Sequence, residues 1–225
     1  MESQQFKAVM FDFDMTLADS SVGIVECTHY AFRMMGVTEV ERSSIHSVIG
    51  LSLQGMFQTL TANAEIERAE EFARLFVKRA DEVMVPSTKI YREVPGLFEQ
   101  LRGHGIKVAI VSNKFRYRIE SILDAARLRP LVDVIVGGED VQRHKPHPDA
   151  IALALTHLRV PAASAMYVGD HCVDADAARA AGVSFIGVLS GPMSGEQWSA
   201  RGEHCVKEHI GEVAQLVRQS GGVRV

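Results

Sequence analysis

Five short apolar runs, each followed by a stretch with helical spacing, constrain the fold of this chain more than any other feature. They are Phe6–Phe11, "KVAIVS" (107–112), "VDVIVGG" (132–138), "AMYVGD" (165–170) and "VSFIGVLSG" (183–191). The runs are rich in Val and Ile and continuous rather than alternating, as strands buried on both faces of a parallel sheet must be. Amphipathic segments at 95–103, 115–127, 147–158, 172–181 and 208–219 follow or separate them. Strand, helix, strand with short connections predicts a doubly wound α/β sheet. Gly105, Gly182 and Gly191 stand where helices or strands should end.

One interval breaks that rhythm. About 95 residues separate the first run from the second, and they contain no convincing strand. Val22, Val25, His29 and Phe32 fall at helical spacing, as do Ile66, Ala69, Phe72, Ala73, Phe76, Val77, Ala80 and Val83. "EVERSSIHSVIG" and "SLQGMFQTL" predict two shorter helices between these stripes. The interval is too long for one crossover helix. It reads as an all-helical domain, residues 18–88, inserted into a Rossmann-like core formed by residues 1–17 and 89–225. The "GGVRV" tail is expected to be loose.

With 47% hydrophobic and 23% charged residues, the chain can bury a substantial core. A formal net charge of −4 without a polybasic block argues against nucleic acid and anionic membranes as partners. No run approaches the roughly 20 apolar residues of a membrane span, and the first strand begins too early for a signal peptide. Cys27, Cys172 and Cys205 are widely spaced, with no CxxC pair, as expected of thiols in a reducing cytoplasm.

The polar residues that end the apolar runs carry the chemistry, because open α/β sheets bind ligands at the carboxyl ends of their strands. Asp12, Asp14 and Thr16 follow the first run; Ser112, Asn113 and Lys114 follow the second. Lys145 lies in "RHKPHPD", ahead of the helix leading to the fourth run, and Asp170 and Asp174 follow that run. Carboxylates gathered at one place repel each other unless a cation belongs between them. Hard carboxylate oxygens suit Mg²⁺, which retains water and substrate phosphate as its remaining ligands. On a strand, the spacing of Asp12 and Asp14 would put both on one side, so that one could attack phosphorus while the other handles a proton. Ser112 and Lys145 would hold the other phosphoryl oxygens. His144 and His147 lack further ligands at metal spacing, and Asp176 fits a helix first turn.

"FDFDMTL", "VSNK", "HKPHPD" and "VGDHCVDADAARAAG" resemble, in order, the four motifs of the haloacid dehalogenase superfamily. The resemblance spans the chain, including a helical cap inserted just after the first motif, and is strongest to phosphoglycolate phosphatase-like members. It implies a cytoplasmic, Mg²⁺-dependent phosphatase acting on a small phosphorylated metabolite through an aspartyl-phosphate. It implies Asp12 as nucleophile and metal ligand, and Asp14 as acid/base that also meets the metal through its backbone carbonyl. Ser112 and Lys145 are implied as phosphate stabilisers, Asp170 as a metal ligand, and Asp174 as a metal or supporting carboxylate. Thr16 and Asn113 are carried as substrate contacts, and the loop around Gly50 and Gly55 as a candidate for choosing the leaving group.

Two positions depart from that pattern. Met15 stands where Gly is frequent, so the local backbone could differ, and His171 stands where Ser is frequent, placing an imidazole beside the acids. A β-phosphoglucomutase-type phosphomutase would use the same apparatus, and a phospho-receiver or binding module would present similar acids without turnover. A true haloacid dehalogenase is disfavoured, because cleaving a carbon–halogen bond needs no acid such as Asp14.

Overall fold

The computed structural model describes residues 6–38, 40–63 and 66–213. In chain order the elements begin with β1 (Ala8–Phe11), β2 (Ala18–Asp19), α1 (Ser21–Met35), α2 (Arg42–His46), α3 (Leu53–Leu60) and α4 (Ala69–Ser87). They continue with β3 (Lys89–Ile90), α5 (Val94–Gly103), β4 (Lys107–Val111), α6 (Arg116–Ala125), β5 (Val134–Val136) and α7 (Asp149–Leu158). The last are β6 (Ala165–Gly169), α8 (Cys172–Ala180), β7 (Ser184–Val188), α9 (Gly195–Ala200) and β8 (Val206–Lys207).

The main sheet has the order β5-β4-β1-β6-β7-β8, and every pairing in it is parallel. Each predicted run supplies a strand, trimmed at its ends. β1 lies between β4 and β6, so the chain moves to opposite sides of it and opens a crevice at its carboxyl end. Its four residues divide between two layers: Val9 and Phe11 join one apolar cluster, Ala8 and Met10 the other. That division explains the unbroken run, since neither face of β1 meets water.

Gly105 and Gly182 adopt φ of +72° and +69°, and each follows a helix as foreseen. The predicted helix at 208–219 is described only in part. A 3₁₀ turn spans Ile210–Glu212, and positions 214–225, which include the "GGVRV" tail, lie outside the described residues. α9 and β8 have no counterpart among the predicted elements; both are short, and β8 gains its strand character only by pairing with β7.

The helical insertion is present, with α1 and α4 packed together and α2 and α3 between them in sequence. Phe32, Phe57, Phe72 and Phe76 form its aromatic centre, with ring centroids 5.0–5.9 Å apart. Two details correct the sequence reading. The interval does contain strands: β2 and β3 pair antiparallel, Ala18 with Ile90 and Asp19 with Lys89, making a neck where the chain leaves and re-enters the α/β layer. Strands of two residues carry no periodicity to detect. The predicted stripes were also misplaced at their starts, because Val22 and Ile66 are exposed. The buried face of α1 instead runs through Ile24, Cys27, Thr28, Ala31, Phe32 and Met35. The apolar residues of the insertion are continuous with those of β1 and α5 in one cluster.

Candidate active site

Asp12 stands one residue beyond the end of β1. Its backbone N–H still donates to Val168 O of β6, 2.9 Å away. The two acids of the first motif are therefore not on a strand, as the sequence reading assumed; they follow its last paired residue, in a tight turn. Met15 N–H closes that turn onto Ala18 O, and Met15 has φ of +62°. This is the left-handed region that glycine enters freely and that costs another residue about 1–2 kcal/mol. Methionine thus adopts the backbone that a glycine would have allowed. Ser190 Oγ donates to its carbonyl at 2.5 Å.

The crevice at the ends of β1, β4 and β6 gathers Asp12, Asp170 and Asp174, with one carboxylate oxygen from each within 4.8 Å of the others. Lys145 enters beneath them with no exposed side-chain surface, 2.8 Å from Asp12 Oδ1 and 2.5 Å from Asp174 Oδ1. Three buried carboxylates against one ammonium leave two negative charges. Burial drives the Asp12 carboxyl up from 3.8 to about 6, with Lys145 and Ser112 opposing the rise and Asp174 adding to it. Asp170 is pushed well above the ordinary carboxylate range by burial and by its two acidic neighbours. The Lys145 ammonium is raised because Asp12 and Asp174 together outweigh its desolvation.

The three acids differ in what remains free on them. Asp174 is fully engaged. Oδ1 accepts from Lys145 Nζ, with Tyr167 Oη 3.3 Å away, and Oδ2 accepts from His171 N–H at 3.0 Å. Asp170 Oδ1 accepts from Thr16 Oγ1 at 2.5 Å, whereas its Oδ2 has no hydrogen-bond partner. Asp12 has an aligned hydrogen bond on neither oxygen; Oδ1 is ion-paired with Lys145 Nζ at 2.8 Å, and Oδ2 has no partner. Buried carboxylate oxygens left unpaired cost several kcal/mol. Their hard donor set would fit a divalent cation such as Mg²⁺, and of the three acids Asp12 and Asp170 have oxygens free of hydrogen bonds to offer it, whereas those of Asp174 are engaged.

Most of the predicted residues converge here. Ser112, at the end of β4, is buried, and its Oγ accepts from Lys114 N–H at 3.3 Å. Asn113 has both ends of its amide engaged: Nδ2 donates to Gly50 O of the insertion at 2.9 Å, and Oδ1 accepts from Lys145 N–H at 3.1 Å. Thr16 is fully buried with its hydroxyl on Asp170. Asp14 turns away from the three-acid group to accept from Lys114 Nζ at 2.8 Å. His171 caps α8. Its Nδ1 accepts from Val173 N–H at 3.3 Å, and burial lowers its pKa. The imidazole thus does the capping work of the more frequent serine.

Sequence reasoning gave no role to Tyr167, placed Lys114 among the strand-end residues without assigning it a function, and read Gly191 only as the end of an element. Tyr167 Oη donates to Val111 O at 2.7 Å and meets Lys145 Nζ at 2.9 Å, bracing the lysine from below. A tyrosine in a strand buried on both faces needs a partner for its hydroxyl, and that rule could have flagged it. The Lys114–Asp14 pair joins residues 100 positions apart, which spacing does not announce.

Gly191 follows β7, and a Cβ there would fall inside the van der Waals shell of Asp170 Oδ2. Gly191→Ala is therefore expected to displace the Asp170 carboxylate and weaken Mg²⁺ binding about 10–100-fold, at a stability cost of about 1–3 kcal/mol. Calorimetric metal titration and thermal melting check this. Unchanged metal affinity would show that the Asp170 carboxylate does not depend on that close approach.

Residues 9–188 match the profile of the haloacid dehalogenase-like hydrolases. The chain is 32% identical over 209 residues to IndB of Dickeya dadantii, named a probable phosphatase, covering 91% of this chain and 90% of that one. It is 31% identical over 176 residues to the phosphoglycolate phosphatase of Aquifex aeolicus, covering 78% and 81%. A haloacid dehalogenase-like hydrolase structure from Bacteroides fragilis superposes with a TM-score of 0.88 at 35% identity, over 93% of this chain and all of that one. With a family profile matching most of its length and relatives above 30% identity along most of both chains, the chain belongs to the haloacid dehalogenase-like hydrolase family, resembling its phosphatases.

Proposed function

We propose that this hydrolase is a Mg²⁺-dependent phosphatase that cleaves a small phosphomonoester through a phosphoryl group carried on Asp12. The observation that carries the reading is the fully buried Asp12 carboxylate, with Oδ1 ion-paired to Lys145 and Oδ2 without a hydrogen-bond partner, beside a free oxygen of Asp170. The relatives named phosphoglycolate phosphatases supply the substrate class, a phosphorylated small molecule.

Mg²⁺ held by Asp12, Asp170 and the backbone carbonyl of Asp14 would offset the carboxylate charge and polarise the phosphoryl oxygens. An Asp12 oxygen attacks phosphorus, the bond to the alcohol oxygen breaks, and the alcohol leaves with a proton from Asp14. Water then attacks phosphorus, Asp14 accepts its proton, and the bond to Asp12 breaks to release phosphate. Lys145 and the Ser112 hydroxyl hold the transferring oxygens while charge shifts among them. Asp174 and Tyr167 fix Lys145 in place. For its acid step Asp14 exchanges Lys114 for the leaving oxygen.

Residues 18–88 act as a cap over the core of residues 1–17 and 89–225. The β2–β3 neck supports this division. So do the contacts that tie the insertion to the crevice, Gly50 O with Asn113 and Asp81 with Arg118. Closure would exclude water during the first transfer and opening would release product.

Chelation tests the metal directly. EDTA is expected to abolish phosphate release from p-nitrophenyl phosphate, and Mg²⁺ to restore it. Mg²⁺ at a hundred times its Kd should stabilise the fold by about 2.7 kcal/mol, read as a rise in Tm. Undiminished turnover after exhaustive chelation would remove the metal from the account. Release of inorganic phosphate, rather than isomerised sugar phosphate, separates the phosphatase from a phosphomutase.

A further inference from the structure

The cavity between the insertion and the crevice reaches Asp14 and Ser112 at one end, yet most of its wall is apolar. Ile24, Val48, Ile49, Met56, Phe76 and Met84 form much of that wall. A leaving group as small and charged as glycolate would leave this surface unused.

The same cavity is lined by Arg118 of α6, whose side chain is only 5% exposed. The guanidinium is fixed on one side, where Nη2 donates to Asp81 Oδ1 at 2.5 Å and to Tyr117 Oη at 2.8 Å. It also lies over the Phe115 and Tyr117 rings. Its Nε–H is buried and has no acceptor. A buried donor left unpaired costs about 1–3 kcal/mol, and a ligand oxygen in that place recovers it. The donor is covered by its neighbours, so a ligand oxygen reaches it as the adjoining wall shifts, and the fixed guanidinium limits what else must be ordered. Pockets for small molecules typically combine an apolar wall with a few fixed polar groups of this kind.

We infer that the preferred substrate is a phosphomonoester whose alcohol has an apolar body longer than glycolate and ends in a carboxylate received by Arg118 Nε–H. The inference rests on the phosphatase reading. Asp14 receives the ester oxygen at the mouth of the cavity, and the apolar wall takes the methylenes. Arg118 is then a specificity-determining residue.

The test is a matched series of esters assayed with Mg²⁺. One set is ω-carboxyalkyl phosphates of increasing length, starting at phosphoglycolate; the other is methyl-ended alkyl phosphates of equal length. In the wild type, kcat/KM is expected to rise about fourfold per methylene until the cavity is filled. At the best length the carboxylate end should be preferred over methyl by about 10–100-fold. Arg118→Lys keeps a cation opposite Asp81 but lacks the Nε–H, so the carboxylate-to-methyl ratio should fall toward one. A general structural defect would lower both sets and leave the ratio unchanged.

Phosphoglycolate as the best ester, or a carboxylate-to-methyl ratio that Arg118→Lys does not move, would overturn the inference while leaving the phosphatase reading standing. Release of no phosphate from any ester, p-nitrophenyl phosphate included, would overturn both. If Arg118→Lys does not fold, the wild-type series decides: a rise with length plus a carboxylate preference supports the inference, and absence of either overturns it.

Discussion

Replacing Asp12 by Asn is expected to abolish phosphate release, by on the order of 10⁵-fold or more, and at the same time to stabilise the metal-free protein. The first effect follows from the proposed role of Asp12, since asparagine offers no carboxylate oxygen to attack phosphorus. The second follows from burial, because the folded-state pKa of Asp12 is displaced from 3.8 to about 6. A carboxyl whose folded-state pKa lies above its unfolded value stabilises the fold below the unfolded pKa. That contribution is lost as pH rises through the folded one. Above pH 6 the metal-free fold therefore holds an unfavourable charge that asparagine lacks.

Removing that charge is worth about 1–3 kcal/mol at pH 7, or roughly 5 °C in Tm for a domain of this size. The difference should vanish near pH 4 and reverse in Mg²⁺, which is expected to stabilise the wild type more than a variant that has lost the Asp12 carboxylate. Thermal melts at three pH values with and without metal check each sign. A metal-free Asp12→Asn protein less stable than wild type at pH 7 would mean that Lys145 already neutralises Asp12 adequately.

Asp14→Asn is expected to lower kcat about 10²–10⁴-fold, with a loss that depends on the ester. Alkyl phosphates need a proton on the departing oxygen, so their first step slows. A p-nitrophenyl ester leaves without one, so the phosphoryl group should transfer to Asp12 and accumulate there for want of a base to activate water. A burst of nitrophenol followed by slow phosphate release is the signature. Equal losses for both ester classes, without a burst, would contradict the acid/base role. Removing the carboxylate also frees Lys114, its partner at 2.8 Å, so Asp14→Glu is the informative companion, keeping the charge while moving the proton donor.

Much of this arrangement was legible in the chain because burial on both faces forces continuous apolar runs. "KVAIVS" and "AMYVGD" became β4 and β6, and their last residues delivered Ser112 and Asp170 to either side of Asp12. The clustered acids were legible for an electrostatic reason, since nothing but a cation justifies their proximity. What could not be read depends on contacts distant in sequence. The β2–β3 neck joins residues about 70 positions apart through two residues on each side. Lys114 looked like one more polar loop residue until folding set it against Asp14. The apolar stripe of α1 was assigned from Val22, but its buried apolar side chains start at Ile24, one residue after Gly23 lies against Met84 and Ser87 of α4. Valine's hydrophobicity alone does not say which side of a first turn faces the core. Arg118 gave no signal, because a buried arginine is recognisable only from the side chains that enclose it.

The most direct measurement of the central claim is to trap the phosphoryl group. Enzyme with Mg²⁺ is mixed with p-nitrophenyl phosphate, quenched in acid during the first turnover, digested and mapped by mass spectrometry. The account predicts one peptide heavier by a phosphoryl group, with the modification on Asp12, more abundant in Asp14→Asn and absent from Asp12→Asn. Turnover with no labelled peptide in either wild type or Asp14→Asn, or a label on any other residue, would contradict it.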